Sequence, residues 1–295
     1  AITGLGVAEL LDEAIQQLPT KMVTDEHENI IKVAIVGRPN AGKSSLLNTL
    51  IGKDRAIVSP IAGTTRDALD EEIVRDGIQY RFIDTAGIRK KAKVNEDIEY
   101  YAVNRAIKAI EQCDVALMII DAERLVEEQD QKIAGIVDDN NKSCLIVVNK
   151  WDLVNKHSTT INEYEKAIRS RLKFLHHCPI LFISAKEQIR TFDIYTQVKT
   201  IFDNYSFRAN TSAVNKAVEA MVAALHPRMH KGRQLKIYYA TQTSTYPPTF
   251  TFFVNNAELV HFAYKRYLEN QLREAFKLWG TPLKLFFRSK KKKEK

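Results

Sequence analysis

The chain has no run of 18 apolar residues, so we expect neither a transmembrane helix nor a membrane partner. No basic segment followed by an apolar stretch opens the sequence, so no secretory signal is visible. The three cysteines, Cys113, Cys144 and Cys178, show no CxxC spacing. They predict reduced thiols in a cytosolic protein and argue against a zinc site. What remains is a 295-residue chain, 45% hydrophobic and 27% charged, as is typical of a soluble globular protein with two domains.

Acidic residues are scarce in the last third of the chain. Residues 206–295 carry 17 Lys and Arg against 5 Asp and Glu, a net charge of +12, whereas residues 1–205 carry 27 against 31, a net charge of −4. A basic module beside a mildly acidic one favours a polyanionic partner, above all nucleic acid. The alternative is a basic surface that is merely solvated.

Short apolar runs alternate with helical patterns between residues 31 and 205. The runs predict buried strands at 31–37, 80–87, 114–122, 143–152 and 178–186. Helical periodicity is present at 43–52, 97–112, 128–138, 161–175 and 192–203. This alternation predicts an α/β domain, with a mostly parallel sheet and helices on both of its faces.

The pattern changes at about residue 206. A helix at 212–225, strands at 233–242 and 247–256, a helix at 257–278 and a strand at 282–290 predict a small α+β domain. At the other end of the chain, residues 6–18 have helical periodicity and are followed by a polar linker. The expected division is therefore 1–30, 31–205 and 206–295, the last with a basic tail.

The segment "GRPNAGKS" at 37–44 matches G-x-x-x-x-G-K-[ST] between a predicted strand and a predicted helix. Gly37 and Gly42 allow the backbone to curl so that its N–H groups point at phosphate oxygens. Lys43 would reach the β- and γ-phosphates, and the Ser44 hydroxyl would bind Mg²⁺. The nucleotide-binding residues predicted here are Gly37, Arg38, Pro39, Asn40, Ala41, Gly42, Lys43, Ser44 and Ser45.

Three further polar stretches follow apolar strands: "DTAG" at 84–87, "NKWD" at 149–152 and "SAK" at 184–186. The Asp152 carboxylate can accept from two adjacent donors, which guanine offers and adenine does not, so we expect GTP rather than ATP. Asn149 can brace the loops, and the Ala185 N–H can donate to guanine O6. The further nucleotide-binding residues predicted here are Asp84, Thr85, Ala86, Gly87, Asn149, Lys150, Asp152, Ser184, Ala185 and Lys186.

Residues 31–205 resemble the Era-like group of translation-factor-type GTPases, with "GTTRD" at 63–67 similar to its first switch. The stretch "DTAGIRKKAKV" at 84–94 resembles the second G domain of the Der (EngA) family. Those bacterial ribosome-assembly GTPases have two tandem G domains and then a KH-like domain, whose order of elements resembles that of residues 206–295. The resemblance implies catalytic roles for Lys43, Thr65 and Gly87, with Thr65 as the second Mg²⁺ ligand. It also implies the large ribosomal subunit or its precursor, through its rRNA, as the partner in a bacterial cytoplasm.

One feature of that family and one feature of RNA-binding KH domains are missing. The sequence has a single P-loop, and residues 1–30 resemble only the last helix of a first G domain and a linker, which suggests a fragment of a longer protein. A single-G-domain protein with an N-terminal helix is the alternative. The GxxG loop with which KH domains clamp RNA is also absent, since the only glycines beyond 205 are Gly232 and Gly280. This domain therefore binds RNA through its basic surface or chiefly docks on the G domain.

Aromatic residues are frequent in the two middle strands of the α+β domain. We consider two roles for Tyr238, Tyr239, Phe250, Phe252 and Phe253. They could stack on RNA bases, but alternation along a strand makes core packing the more common role.

Ile88 stands where many GTPases have a glutamine that orients the attacking water. By resemblance to Era-like GTPases, the oxygen of Asn40 would instead hold K⁺ against the phosphates, with backbone carbonyls from loop 59–64 completing the site. The candidate K⁺ ligands are Asn40, Ser59, Ile61 and Thr64. Asn40 could alternatively only brace the loop. We therefore expect a GTP-hydrolysing switch, and the rival hypothesis is a nucleotide-gated RNA-binding module with negligible hydrolysis.

Overall fold

The computed structural model divides the chain into two compact units. The larger one comprises Glu26–Asp203 and Gly280–Pro282, and the smaller one contains Asn204–Trp279 and the C-terminal strand. The described residues are 13, 30–52, 70–85, 88, 96–229 and 232–289, without the side chains of 96–103. Apart from residue 13, the predicted helix at 6–18 lies outside them, as does the tail beyond 289.

The larger unit contains a six-stranded sheet in the order β2-β3-β1-β4-β5-β6. Its strands are β1 (Ile30–Val36), β2 (Glu71–Arg75), β3 (Ile78–Ile83), β4 (Val115–Asp121), β5 (Ser143–Asn149) and β6 (Ile180–Phe182). All adjacent strands pair in parallel except β2, which pairs antiparallel to β3. The prediction of a mostly parallel sheet is confirmed, but β2 was not predicted.

Helices cover both faces of this sheet, as the sequence predicted. They are α1 (Lys43–Gly52), α2 (Glu96–Gln112), α3 (Glu128–Asp139), α4 (Thr160–Arg171) and α5 (Asp193–Ser206). Alternate residues of β1 enter different cores: Val33 and Ile35 pack with α1 and α5, whereas Ala34 and Val36 pack with α2, α3 and α4. The helix predicted at 161–175 ends at Arg171, and a separate 3₁₀ turn spans Lys173–Leu175.

The smaller unit has the predicted α-β-β-α-β order. It contains α6 (Thr211–Ala224), β7 (Ile237–Ser244), β8 (Thr249–Val254), α7 (Phe262–Phe276) and β9 (Lys284–Ser289). β8 is the central strand, antiparallel to β7 and parallel to β9. The helix predicted from residue 257 begins later, because Ala257–Leu259 forms a 3₁₀ turn and His261 then caps α7 by accepting from the Ala263 N–H at 3.2 Å.

The five aromatic residues of the middle strands divide between the two roles considered for them. Phe250 and Phe252 are fully buried in the core of the smaller unit. Tyr238 is 55% exposed, whereas Tyr239 and Phe253 are half-buried and stack on each other with ring centroids 4.4 Å apart. Core packing therefore accounts for the two fully buried phenylalanines and not for the other three residues.

None of the helices in the described ranges is long and apolar enough to cross a membrane. Cys113, Cys144 and Cys178 are all buried, and none of them forms a disulfide within the described residues.

The side chain of Asn215, on α6, completes the hydrogen bonding of β7 at the edge of the small sheet. Its Nδ2 donates to the Ala240 carbonyl at 2.9 Å, and its Oδ1 accepts from the Ala240 N–H at 2.8 Å. An edge strand otherwise presents unpaired backbone groups, so this amide both pairs the edge and fixes α6 against it.

Replacing Asn215 with Ala should destabilise the smaller unit by about 2–4 kcal/mol, because it removes both hydrogen bonds to Ala240 and leaves the Ala240 N–H and C=O without this partner. It also removes the donation from Nδ2 to the Thr211 carbonyl at 2.7 Å. Asn270→Ala, on the exposed side of α7, is the matched control and should change stability by no more than about 0.5 kcal/mol. Amide hydrogen exchange in β7 measures the loss. Equal protection of β7 in both variants would contradict this role for Asn215.

Candidate functional site

The loop at 37–42 connects β1 to α1 and requires glycine at both of its ends. Gly37 and Gly42 have φ angles of +143° and +97°. A Cβ at Gly37 would lie 2.5 Å from the Ile119 carbonyl oxygen, and a Cβ at Gly42 would lie 2.1 Å from the Asn149 side-chain nitrogen. The loop is thus held against β4 and β5 more closely than any side chain would allow. Pro39 and Asn40 are exposed at its tip, and Ala41 is buried.

The Lys43 side chain folds back into this loop. Its Nζ donates to the carbonyls of Gly37 and Arg38 at 2.8 and 2.7 Å. Burial lowers the pKa of Lys43 from its ordinary value to about 8, although the charge of Asp130 opposes this shift. The ammonium is therefore partly desolvated, and an anion bound beside it would favour its charged form.

The Arg38 side chain is engaged by α3 and the loop before it. It forms ion pairs with Glu127 and with the buried Asp130, and it donates to the Leu125 carbonyl at 3.3 Å. These partners occupy the Arg38 side chain, so the predicted contact of Arg38 with the nucleotide falls to its main chain. An ion pair with residues about ninety positions away carries no local sequence signal.

The first turn of α1 places Ser44 against the segment after β3. The Ser44 hydroxyl, which is exposed, donates to the Ile88 carbonyl at 2.5 Å. Ser45 is exposed next to it. The Ile88 side chain packs against the core that lies under α1, so it is part of the apolar packing.

Asp84 directly follows β3, at the carboxyl end of the strand beside β1. Its φ angle of +53° is left-handed, a conformation that Asp tolerates better than most residues. Its N–H donates to Asp70 Oδ1 at 2.9 Å. Thr85 is buried at 3% exposure. Asp70 was missed by the sequence analysis, because nothing in the local pattern shows that its carboxylate accepts from the Asp84 backbone.

Asn149 connects the two sides of the site. It is only 2% exposed, its Nδ2 donates to the Ala41 carbonyl at 3.0 Å, and its Oδ1 accepts from the Ala185 N–H at 3.0 Å. This is the bracing role predicted from the sequence. It also corrects another prediction: the Ala185 N–H, expected to read guanine O6, already serves Asn149, because a buried amide oxygen needs a donor.

The "NKWD" turn presents Asp152 above a packed aromatic base. Trp151 is buried against Tyr164 and Phe182, with ring centroids 4.9 and 4.5 Å away. The backbone N–H of Trp151 donates to the Ile183 carbonyl at 3.0 Å. Lys150 has a left-handed φ of +64°, and its ammonium pairs with Asp121 at 2.6 Å. Asp121 was missed too, although it ends an apolar strand as Asn149 does.

One carboxylate oxygen of Asp152 is a candidate acceptor for a ligand. A hydrogen bond with Ser184 lowers the pKa of Asp152, which keeps its carboxylate ionised. Its Oδ1 is inaccessible to solvent and accepts no hydrogen bond from the part of the chain that the structure describes. A buried, unpartnered acceptor is costly in a folded protein, so it marks a place where a donor from a ligand is expected. Lys186, two residues after Ser184, is exposed and pairs with Glu187 at 3.5 Å.

Six predicted site residues lie outside the described residues: Ser59, Ile61, Thr64, Thr65, Ala86 and Gly87. All the others lie at or just beyond the carboxyl ends of β1, β3, β5 and β6, where parallel strands bring their loops together.

Two protein-family models match the chain. Residues 32–150 match the family described as 50S ribosome-binding GTPase. Residues 208–288 match the family described as KH-domain-like of EngA bacterial GTPase enzymes, C-terminal.

Among curated proteins, the chain is similar to GTPase Der from three bacteria. The enzyme of Ruminiclostridium cellulolyticum is 48% identical over 99% of this chain and 66% of its own length. The proteins of Agathobacter rectalis and Caldanaerobacter subterraneus are 47% and 49% identical over 100% and 96% of this chain. The chain spans between 64% and 67% of the length of these relatives. Among solved structures, Era from Aquifex aeolicus bound to GDP and AlF₄⁻ has a TM-score of 0.46 and 23% identity, covering 88% of this chain and 94% of that one.

The pKa of Lys43 predicts a proton uptake that depends on pH. Below about pH 8 the ligand-free ammonium is already charged. Above it the amine is neutral, and binding of anionic phosphates should then require about one proton. Affinity for GDP should therefore fall by up to about tenfold per pH unit above pH 8.

Calorimetry in two buffers with different ionisation enthalpies, about one unit above the pKa of Lys43, measures the proton. Lys43→Arg should abolish the uptake, because arginine keeps its charge throughout this range. Lys150→Arg is the matched control within the site and should retain it. Uptake that persists in the Lys43 variant would show that another group binds the proton.

Proposed function

Because the chain belongs to the Der (EngA) family of GTPases, we propose that it binds GTP in the four loops described above and hydrolyses it to GDP and phosphate. We further propose that this cycle acts on the large ribosomal subunit or its precursor. The buried Asp152 Oδ1, which accepts no hydrogen bond within the described residues, is the observation that supports the choice of nucleotide most directly. The guanine N1–H and N2–H₂ are adjacent donors that would satisfy this carboxylate.

The remaining base contacts follow from the corrected geometry. The Ala185 N–H is engaged by Asn149, so the amide that reads guanine O6 in this proposal is that of Lys186, the next residue along the loop. Asn149 acts as a positioning residue in this scheme. It links the loop that holds the phosphates to the loop that reads the base through its two hydrogen bonds.

The phosphates would be bound by Lys43 and by the backbone N–H groups of the glycine loop at the N-terminus of α1. The donor set also fits magnesium, since the exposed Ser44 hydroxyl lies in the first turn of α1 and its partner is one backbone carbonyl. Ser44 and Thr65 would hold Mg²⁺, which neutralises charge on the phosphate oxygens. Gly87 would sense the γ-phosphate through its N–H.

Hydrolysis in this proposal proceeds without a glutamine. The Ile88 side chain packs into the apolar core and has no group that orients water. Asn40 is exposed at the loop tip with a left-handed φ of +62°, which leaves its amide oxygen accessible to a cation. Asn40, with the backbone carbonyls of Ser59, Ile61 and Thr64, would hold K⁺, which would stabilise the charge that develops on the phosphoryl oxygens.

The rival hypothesis is a nucleotide-gated RNA-binding module that turns over negligibly. The net charge of +12 in residues 206–295 supports RNA binding in both cases. The two hypotheses differ in the rate of phosphate release by the chain alone and with ribosomal subunits.

Asp152→Asn should weaken GTP binding roughly 10- to 100-fold, because one charge-assisted acceptor is replaced by an amide that can present donors to the guanine edge. Xanthosine triphosphate should bind better than to the parent protein, since its C2 carbonyl accepts from that amide. Competition binding measures the affinity of the variant for each of the two nucleotides. Asp139→Asn, on α3, is the matched control. Unchanged GTP affinity in the Asp152 variant would show that "NKWD" does not recognise the base.

Turnover should be slow in Na⁺ and clearly faster in K⁺ at equal ionic strength, because the site proposed around Asn40 takes K⁺. Phosphate release is followed in both salts, with and without ribosomal subunits. Asn40→Ala should abolish the difference between the salts while Mg²⁺·GTP binding persists. Asn48→Ala, an exposed position on α1, should preserve it. Negligible phosphate release under every condition would favour the rival hypothesis. Equal rates of release in the two salts would contradict the proposed K⁺ site.

A further inference from the structure

The sheet of the smaller unit has a second face that does not contribute to its core. Phe250, Phe252 and Val254 of β8 and Leu285 of β9 belong to the core. Because side chains alternate along a strand, the residues between them point to the opposite face. That face carries Tyr239, Phe253, Phe286 and Arg288, which we call the stacking face. Thr251, opposite Phe286, points the same way and is only 3% exposed.

These four side chains form one continuous patch across the three strands. Phe253 lies opposite Tyr239 on β7 and opposite Arg288 on β9, and Phe286 is two residues before Arg288. Neighbouring strands lie about 4.8 Å apart, and residues i and i+2 on one face lie about 7 Å apart. The Tyr239 and Phe253 rings are already stacked, 4.4 Å apart and 12° from parallel.

Phe286 is 54% exposed although it lies in the middle of a strand. A single exposed apolar side chain needs no explanation. Here, however, it lies beside a stacked aromatic pair and an exposed arginine. The patch therefore combines flat π surfaces with a cation, and this combination is suited to bases and phosphates.

The charge pattern extends beyond β9. Arg288 is exposed, and the sequence continues after Ser289 with four consecutive lysines at 290–293. A polyanion on the stacking face would meet Arg288 with its backbone while its bases faced the rings.

We propose that the stacking face binds single-stranded RNA. Bases stack on Phe286 and on the Tyr239–Phe253 pair, and Arg288 contacts a phosphate. The inference deepens the proposed function and depends on RNA being the partner. It locates recognition on a sheet face, in a domain whose sequence has no GxxG loop. Unpaired bases expose the ring faces that stacking requires, whereas a duplex keeps them stacked on each other.

The experiment uses the full chain and a fluorescein-labelled single-stranded RNA of mixed sequence, with the duplex of the same sequence as a second probe. Anisotropy titrations are repeated at several salt concentrations. Phe286→Ala should weaken single-strand binding about 5- to 100-fold and leave the salt dependence unchanged. Arg288→Ala should weaken binding and reduce the slope of log affinity against log salt by about 0.7.

Two controls separate stacking from general effects on the surface. Phe262→Ala removes the more exposed phenylalanine of this unit, on α7, and Lys265→Ala removes an exposed cation on the same helix; both should leave single-strand affinity nearly unchanged. Phe286→Trp should restore affinity, and its added fluorescence should be quenched by RNA if a base stacks on it.

Several outcomes would overturn the inference: equal losses in the Phe262 and Phe286 variants, duplex binding as tight as single-strand binding, or an indole at 286 that RNA does not quench. Sedimentation with ribosomal subunits and GTP turnover are measured on the same proteins. If the parent chain binds subunits and Phe286→Ala binds them equally well, the stacking face is not the RNA-binding surface and the proposed function stands. If the parent chain binds no subunits but still binds single-stranded RNA, the proposed partner is wrong and the stacking face stands.

Discussion

The candidate site depends on the two hydrogen bonds of one buried amide. Asn149 joins the Ala41 carbonyl to the Ala185 N–H, and its side-chain nitrogen occupies the space that a Cβ at Gly42 would need. The Asn149 side chain can therefore occupy this position only because residue 42 is glycine. The position of the loop at 37–42 and the position of the loop at 184–186 are set by the same side chain, so neither can shift without losing a buried hydrogen bond.

The smaller unit uses the same device for a different purpose. Asn215 forms hydrogen bonds with both the N–H and the C=O of Ala240, which are backbone groups on the edge strand β7. In both units an amide side chain donates to one backbone carbonyl and accepts from one backbone N–H, as a peptide group would. Apolar burial forms the two cores, but these amides determine which loop meets which strand.

Periodicity predicted the larger elements because burial on two faces imposes a strong pattern on the buried strands and on the helices. It missed β2, whose sequence "EEIVR" is short and mostly polar, as an edge strand with one buried residue can be. The loops that carry the site were found because strand ends at one edge of a parallel sheet converge. The engagement of Arg38 by Glu127 and Asp130, and of the Ala185 N–H by Asn149, was not found. Both depend on partners distant in sequence, which only the packed structure brings together.

The Ser44 hydroxyl donates to the Ile88 carbonyl, and a hydroxyl that donates its proton there holds its oxygen in one orientation. A hydroxyl can donate its proton to a carbonyl while the lone pairs of its oxygen ligate a cation, so this hydrogen bond would orient the Ser44 oxygen for a metal. A bound cation would in turn make the hydroxyl more acidic and strengthen its donation to Ile88. The two interactions would therefore stabilise each other, and linkage makes the coupling reciprocal: the factor by which the cation strengthens the contact with Ile88 is the factor by which that contact strengthens cation binding.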